Sequence, residues 1–284
     1  MHKLESDLSL IGFSEQLTPV LRVGNRSSND LYVGRIEIPQ LDRRIQAYVK
    51  ICPPAVRGQS AYNEVIAHHL SIQCALSTPL TLLCACRVTQ LRSATRDRMI
   101  GDPTSEFVTG VASLDVAVRG MTQTLKSSDA AIAEIMTWPE AARLAVFDEL
   151  LANDDRHLEN LVRQGPAKYI AIDNERILFG EPWFNMELSS FIGRSCQANV
   201  LAATIAEGPE QGMRQRMARI AQELILGTSF TVPEGADAFE RRCSAPLGST
   251  KRLIDMLNSR RIKLSSLMQW HLRKGDLFQE SFKK

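Results

Sequence analysis

The stretch LLANDDRHLENLVRQGPAKYIAIDNERI, Leu150 to Ile177, crowds aspartates, asparagines and a histidine between two apolar runs. A turn needs one Asp or Asn, not this many. Asp155 falls on a polar loop after a helix. Asn160 lies where a short strand begins, and Asp173 ends a second strand. A hairpin over this segment brings its open end together, so Asn160 and Asp173 face one site. Two oxygen donors there suit Mg²⁺, a hard cation that takes few protein ligands and completes its shell with phosphate and water. A nearby carboxylate left off the metal, Asp155, can accept the proton of an attacking hydroxyl. Together these are the parts of phosphoryl transfer.

Such chemistry also needs a cation on the phosphates. Lys50 sits in the middle of the apolar strand AYVKIC, an uncommon place unless the lysine is paired or the strand is an edge. Glu64, in AYNEVIAHH on the following helix, is the candidate partner. The connector GNRSSND, Gly24 to Asp30, would lie over the phosphates and offer backbone N–H groups. Each residue also has a plainer reading. Asn153, Asp154 and Asp155 are ordinary helix-end turn residues; Lys50 is a snorkelling edge lysine; Glu64 is a solvated helix residue; Ser27, Ser28 and Asp30 are turn residues. Glu175 is a hairpin exit or a further metal-proximal carboxylate. Arg156 pairs with a carboxylate or phosphate, or caps the helix end. His68 and His69 are packing or surface residues.

The elements that must position these groups begin with three short strands, Leu17–Val23, Leu31–Ile38 and Ile45–Cys52, read as an antiparallel meander. A helix follows over about Gln59–Ala75, then a strand-like run LTLLCACRVTQL and an apolar segment Ser105–Val116. Ser127, Ser128 or Asp129 caps a helix, and Pro139 opens another with Leu144, Phe147 and Leu151 on one face. Leu161–Val162 and Tyr169–Asp173 are the hairpin strands, joined by RQGPAK. From Gln197 onward four or five helices are expected, broken at Gly208-Pro209, Pro233 and Gly235, and Pro246 and Gly248. The fold class is α+β: a β-rich N-terminal lobe over residues 1–105, a hinge over 106–115, and a helical C-terminal lobe over 116–284 that carries the hairpin.

The totals exclude some classes. The chain has 284 residues, 44% of them hydrophobic and 23% charged, which fits one large domain or two lobes and argues against disorder. A net charge of +2 gives no basic field for nucleic acid. No apolar run spans a bilayer, and MHKLESDLSLIGF lacks the marks of a signal peptide. A cytoplasmic protein with no membrane and no direct nucleic-acid contact is expected. The six cysteines match no zinc spacing and read as reduced, buried thiols, with Cys84 and Cys86 on one strand face.

The run D-R-H-x-x-N followed by I-D resembles the catalytic segment of phosphatidylinositol 3- and 4-kinases, and more closely that of the HipA-like kinases of bacteria. With the upstream Lys50 and Glu64 in order, the resemblance covers roughly the first 180 residues. It implies a two-lobed protein-kinase-like fold and an ATP- and Mg²⁺-dependent kinase. Asp155 would be the catalytic aspartate, with His157 aiding it or structural. Asn160 and Asp173 would be the metal ligands, Lys50 the phosphate-binding lysine and Glu64 its partner. Ser105–Leu114 would be the adenine-reading hinge, with Phe107 and Val108 as its cofactor-binding positions. Ser27 or Ser28 would occupy the phosphate loop at a place that can be phosphorylated. The acceptor implied is a protein Ser/Thr, and an antitoxin-type partner protein is implied with it; a small-molecule or lipid kinase of the same fold and a non-catalytic nucleotide-binding module are the alternatives. Asp173 is followed by Asn-Glu, and the loop is not H-R-D, so the chain departs from the eukaryotic protein-kinase pattern. A metal-dependent hydrolase would use the aspartates but leave Lys50 and Glu64 unexplained.

Overall fold

Apolar residues alternate along Asp30–Ile38 and Arg43–Ile51, and both segments are strands in the computed structural model. The structure describes residues 7–20, 30–91, 104–114, 128–208, 211–227 and 229–281. They divide into two units. The first draws on the described parts of 1–69, 79–116 and 233–249, the second on those of 70–78, 117–232 and 250–284.

In the first unit, β1 (Ile11–Pro19), β2 (Asp30–Ile38) and β3 (Arg43–Ile51) form the expected antiparallel meander, with β1 earlier in the chain than expected. The meander does not stay open. β4 (Thr81–Arg87) and β5 (Phe107–Leu114) complete a closed barrel in the order β1-β2-β3-β5-β4. Closure comes from a short parallel pairing of Ile11–Phe13 with Leu83–Ala85. Ser14 seals the seam, its hydroxyl donating to Gln90 Oε1 at 2.7 Å and accepting from the Arg87 N–H at 3.3 Å. The inward face carries Ile36, Val49, Cys84 and Ala112, all buried, with Ile36 and Val49 each contributing about 1.5–3 kcal/mol by full withdrawal from water. Where β1 slips register between Ser14 and Gln16, Gly34 lies opposite; a Cβ there would stand 2.0 Å from the Gln16 carbonyl oxygen. The close approach, not a phosphate loop, accounts for that glycine.

The expected hinge is a barrel strand. Phe107 and Val108 pair with Arg87 and Cys86 of β4, and Val111–Ser113 pair with both β3 and β4. Phe107–Gly110 pair with β4 alone, and the Val108 side chain points into the core. The apolar run that suggested a hinge is explained by barrel closure.

Helix α1 (Arg57–Gln73) follows β3. Its residues Tyr62, Val65, Ile66 and Leu70 are buried. Residues 233–249, expected in the helical C-terminal part, belong to the first unit. The Phe239 ring meets Tyr62 at 4.9 Å, and Gly58 allows the Cys243 carbonyl oxygen within 2.2 Å of where a Cβ would sit.

His68 and His69 both lie on the buried side of α1, their rings edge to face at 5.4 Å. Burial pushes His68 down to about 3, with His69 adding to the shift, and pushes His69 down to about 4, with Asp7 opposing. Both are neutral in the folded state at pH 5, whereas the unfolded chain titrates near its ordinary value of about 6.5. The unfolded state therefore binds more protons below that value. Stability falls as pH drops from about 6.5 towards 4, at up to about 1.4 kcal/mol per pH unit for each histidine. Urea midpoints at pH 7 and pH 5 should show the loss, and His68→Asn should flatten it. A slope unchanged by that substitution would mean that His68 is not held neutral.

Among its described residues, the second unit has helices and one hairpin. Helix α2 (Ser128–Thr137) precedes α3 (Ala141–Leu151), β6 (Leu161–Gly165) and β7 (Lys168–Ala171). Then come α4 (Val200–Glu207), α5 (Gln211–Leu226), α6 (Ala236–Arg242, part of the first unit), α7 (Ser249–Ile262) and α8 (Leu264–Ser281); the first three breaks fall where Gly and Pro predict them, and the last, at Lys263, was not expected. α3, α4, α5 and α8 pack on one another. α3 was expected to bury one face; ten of its eleven residues are buried, including Asp148 and Glu149. No described helix is long and apolar enough to cross a membrane. All six cysteines are buried and unpaired in disulfides, with Cys84 and Cys86 sulfurs 3.8 Å apart on one strand face.

A buried carboxylate must be matched by charge and hydrogen bonds. Glu149 Oε1 accepts from Arg260 Nη2 at 3.1 Å and from the Cys196 N–H at 2.9 Å; its other oxygen lies 3.0 Å from His271 Nε2. Arg260 also donates to the Glu149, Leu150 and Arg194 carbonyls, at 2.8, 3.0 and 2.7 Å, and to that of Phe191, and so caps the end of α3. Arg260→Met leaves Glu149 and those carbonyls under-matched, with an expected loss of about 3–5 kcal/mol. Denaturant titration checks this; a loss below about 1 kcal/mol would show that the network is not a structural keystone.

Candidate functional site

The first unit contributes one pair. Lys50 on β3 pairs with Leu31 of β2 on one side and Val111 of β5 on the other, so its strand is not an edge. Val49 and Ile51 point into the barrel, which turns Lys50 to the outer face. There its Nζ donates to Glu64 Oε1 of α1 at 2.8 Å, with side-chain exposures of 15% and 7%. Exposure that low rules out the snorkelling edge lysine and the solvated helix glutamate. The pair fixes the amine in direction.

The second unit contributes a folded loop. α3 ends on Ala152 in the left-handed conformation, its N–H bonded to the Glu149 carbonyl at 3.1 Å. The Asn153 Oδ1 accepts from the Asp155 N–H at 3.2 Å. The Asp155 carbonyl accepts from the His157 N–H at 3.0 Å and from Asn160 Nδ2 at 2.8 Å. Since a carbonyl only accepts, the Asn160 amide nitrogen must face it, and the amide oxygen is the atom left to present elsewhere. The Asp155 carboxylate meets His157 Nε2 at 2.7 Å through Oδ1, with the side chains 29% and 54% exposed. A partly open carboxylate steadied on one oxygen can take a proton on the other.

The hairpin joins this loop to the second one. Leu161 pairs with Ala171, and the Ile172 N–H donates to the Asn160 carbonyl at 2.9 Å. Asp173 is the next residue, so the open end does bring Asn160 and Asp173 together, as the spacing predicts. Glu134 of α2 anchors the closed end, accepting from Arg163 Nε at 3.0 Å and from the Ala167 N–H at 2.9 Å. Tyr169 is buried edge to face against Trp138 at 5.3 Å, and burial raises its hydroxyl to about 12, helped by the Glu134 charge.

Asp173 adopts the left-handed conformation at φ 65°, a position Asp and Asn tolerate better than most residues. One of its carboxylate oxygens lies within 4.8 Å of one from Glu175. Asp173 and Glu175 offer carboxylate oxygens and Asn160 an amide oxygen, all hard donors of the kind that suits Mg²⁺ rather than zinc.

Two arginines that the sequence reading left open or passed over tie the loops together. Arg156, 1% exposed, reaches Asp148 and the residues on either side of Asp173. Arg176 reaches back, its Nε and Nη2 each 2.9 Å from the Asp154 oxygens. Asp154 holds Arg176 above its ordinary range. Burial pushes the Asp148 carboxyl up, and the Arg156 guanidinium pulls it back. The one signal for Asp148 was its setting: with Glu149 it interrupts the apolar run LAVFDELLA, and an acid buried there needs a buried cation. Phe107 and Val108 lie on β5 of the first unit, the Phe107 ring under the Arg87 guanidinium at 5.1 Å and the Val108 side chain in the barrel core. Ser27 and Ser28 lie outside the described residues.

No protein-family model matches the chain, and no curated protein matches it significantly.

Proposed function

We propose that the protein is an ATP- and Mg²⁺-dependent kinase of a protein-kinase-like, HipA-like kind, acting on a protein Ser/Thr hydroxyl in the cytoplasm. The observation that carries the reading is the Lys50–Glu64 pair, buried and at 2.8 Å on a central strand. A hydrolase working through its aspartates has no use for a directed, charge-matched amine, whereas phosphoryl transfer needs a fixed cation at the nucleotide phosphates. The loop that holds Asp155, Asn160 and Asp173 supports the same reading.

Lys50 would hold the phosphates, and Glu64 would aim it. Asn160 and Asp173 would supply ligand oxygens. Bound Mg²⁺ would offset charge on the phosphate oxygens. Asp155 would orient the acceptor hydroxyl and take its proton as the new O–P bond forms and ADP departs with the electrons of the broken bond. His157 would keep one Asp155 oxygen occupied and so select the other for that proton. A protein acceptor and an antitoxin-type partner follow from the family resemblance alone.

The test incubates the pure protein with γ-labelled ATP and Mg²⁺, alone and with cell lysate. Label on a protein, absent with Asp155→Ala, supports the reading. Nucleotide binding without any labelled protein moves the acceptor to a small molecule or makes the chain a binding module. Absence of nucleotide binding defeats the proposal.

A further inference from the structure

Arg156 is too deeply buried to touch a nucleotide or an acceptor, yet four of its five donors are engaged, two on Asp148 and two on the residues flanking Asp173. Nε and Nη2 take the two Asp148 oxygens, at 3.0 and 3.1 Å. Nη1 donates to the Ile172 carbonyl at 2.5 Å, and Nη2 also donates to Asn174 Oδ1 at 2.5 Å. Ile172 and Asn174 are the residues immediately before and after Asp173. The guanidinium therefore holds both ends of the one peptide step that must turn left-handed, at φ 65°. Asn160 adds a third fixed point through the Ile172 N–H. Asp148 anchors the guanidinium in turn, since it sits on α3 and is fully buried.

We propose that Arg156 is a positioning residue for the divalent-cation site: it imposes the backbone turn that aims the Asp173 carboxylate beside Asn160. This rests on the metal reading given above. Lysine cannot replace it, because a point ammonium lacks the planar fork that spans a carboxylate, a carbonyl and an amide at once. Outer-sphere groups of this kind commonly alter metal affinity by about 10–100-fold.

The experiment measures Mn²⁺ binding to the full chain by loss of the free-Mn²⁺ spin resonance signal, with a non-transferring ATP analogue present. Arg156→Lys keeps a cation beside Asp148 and should weaken Mn²⁺ by about tenfold or more. Asn174→Ala removes one arm only. It should leave the melting temperature unchanged and weaken Mn²⁺ about threefold or more, a combination that a purely structural arginine would not produce. If Arg156→Lys does not fold, Asn174→Ala decides alone. Wild-type binding that depends on Asp173 but is indifferent to both variants overturns this inference and leaves the metal reading standing. Wild-type binding that is absent, or unchanged by Asp173→Asn, overturns the metal reading and this inference with it.

Discussion

Asp155→Ala should lower phosphate transfer by about 10²–10⁴-fold, the usual contribution of a positioned proton acceptor, while nucleotide binding stays near the wild-type level. The carboxylate is not a structural pillar. It is partly exposed, and the loop around it is held by backbone and neighbouring groups: the Asp155 carbonyl accepts from Asn160 and His157, and its N–H is taken by Asn153. Deleting the side chain removes one contact, that to His157 Nε2. Melting temperature should therefore shift little, and turnover should fall without a matching rise in the ATP KM. Measured transfer at wild-type rates would remove Asp155 from the chemistry; a large loss of stability would show that the residue was mainly structural.

Asp173→Asn should weaken divalent-cation binding by about a hundredfold or more and carry transfer down with it, because a hard cation loses its charged ligand. Asparagine is the informative replacement. It tolerates the left-handed conformation that Asp173 adopts at φ 65°, so the backbone turn survives and only the charge is lost. Alanine would mix the two effects. Mn²⁺ titration in the presence of nucleotide reads the affinity directly. An affinity within about twofold of wild type would take Asp173 out of the ligand set, since residues that only hydrogen-bond a metal ligand often cost more than that.

Much of the site was legible because it is local. Asn160 and Asp173 flank the two strands of one hairpin, with Asp155 on the loop just before it, and a hairpin's strand spacing dictates which residues meet at its open end. Lys50 and Glu64 were legible because a charge inside an apolar strand demands a partner, and the next element offered one. The reading of Ser105–Leu114 as a hinge failed for a related reason. An apolar run with β-branched residues and a glycine suits a connector between lobes as well as a barrel strand, and only its pairing with β3 and β4 separates the two. The single apolar face assigned to α3 failed because Asp148 and Glu149 look solvent-facing until their cations are found at Arg156 and Arg260.

The sequence by itself determined an α+β chain with a β-rich beginning, the hairpin, the helical remainder, the buried thiols, and the candidate acid, amide and amine groups. These depend on short-range periodicity, turn chemistry and the cost of an unpaired charge, all of which are written within a few residues. Tertiary structure alone decided the closure of the barrel, the return of 233–249 to the first unit, the matching of Glu149 by Arg260 and His271, and the grip of Arg156 on both neighbours of Asp173. The physical reason is that a buried charge fixes only that some partner must exist. Which of the chain's many arginines fills that role depends on packing between elements far apart in sequence.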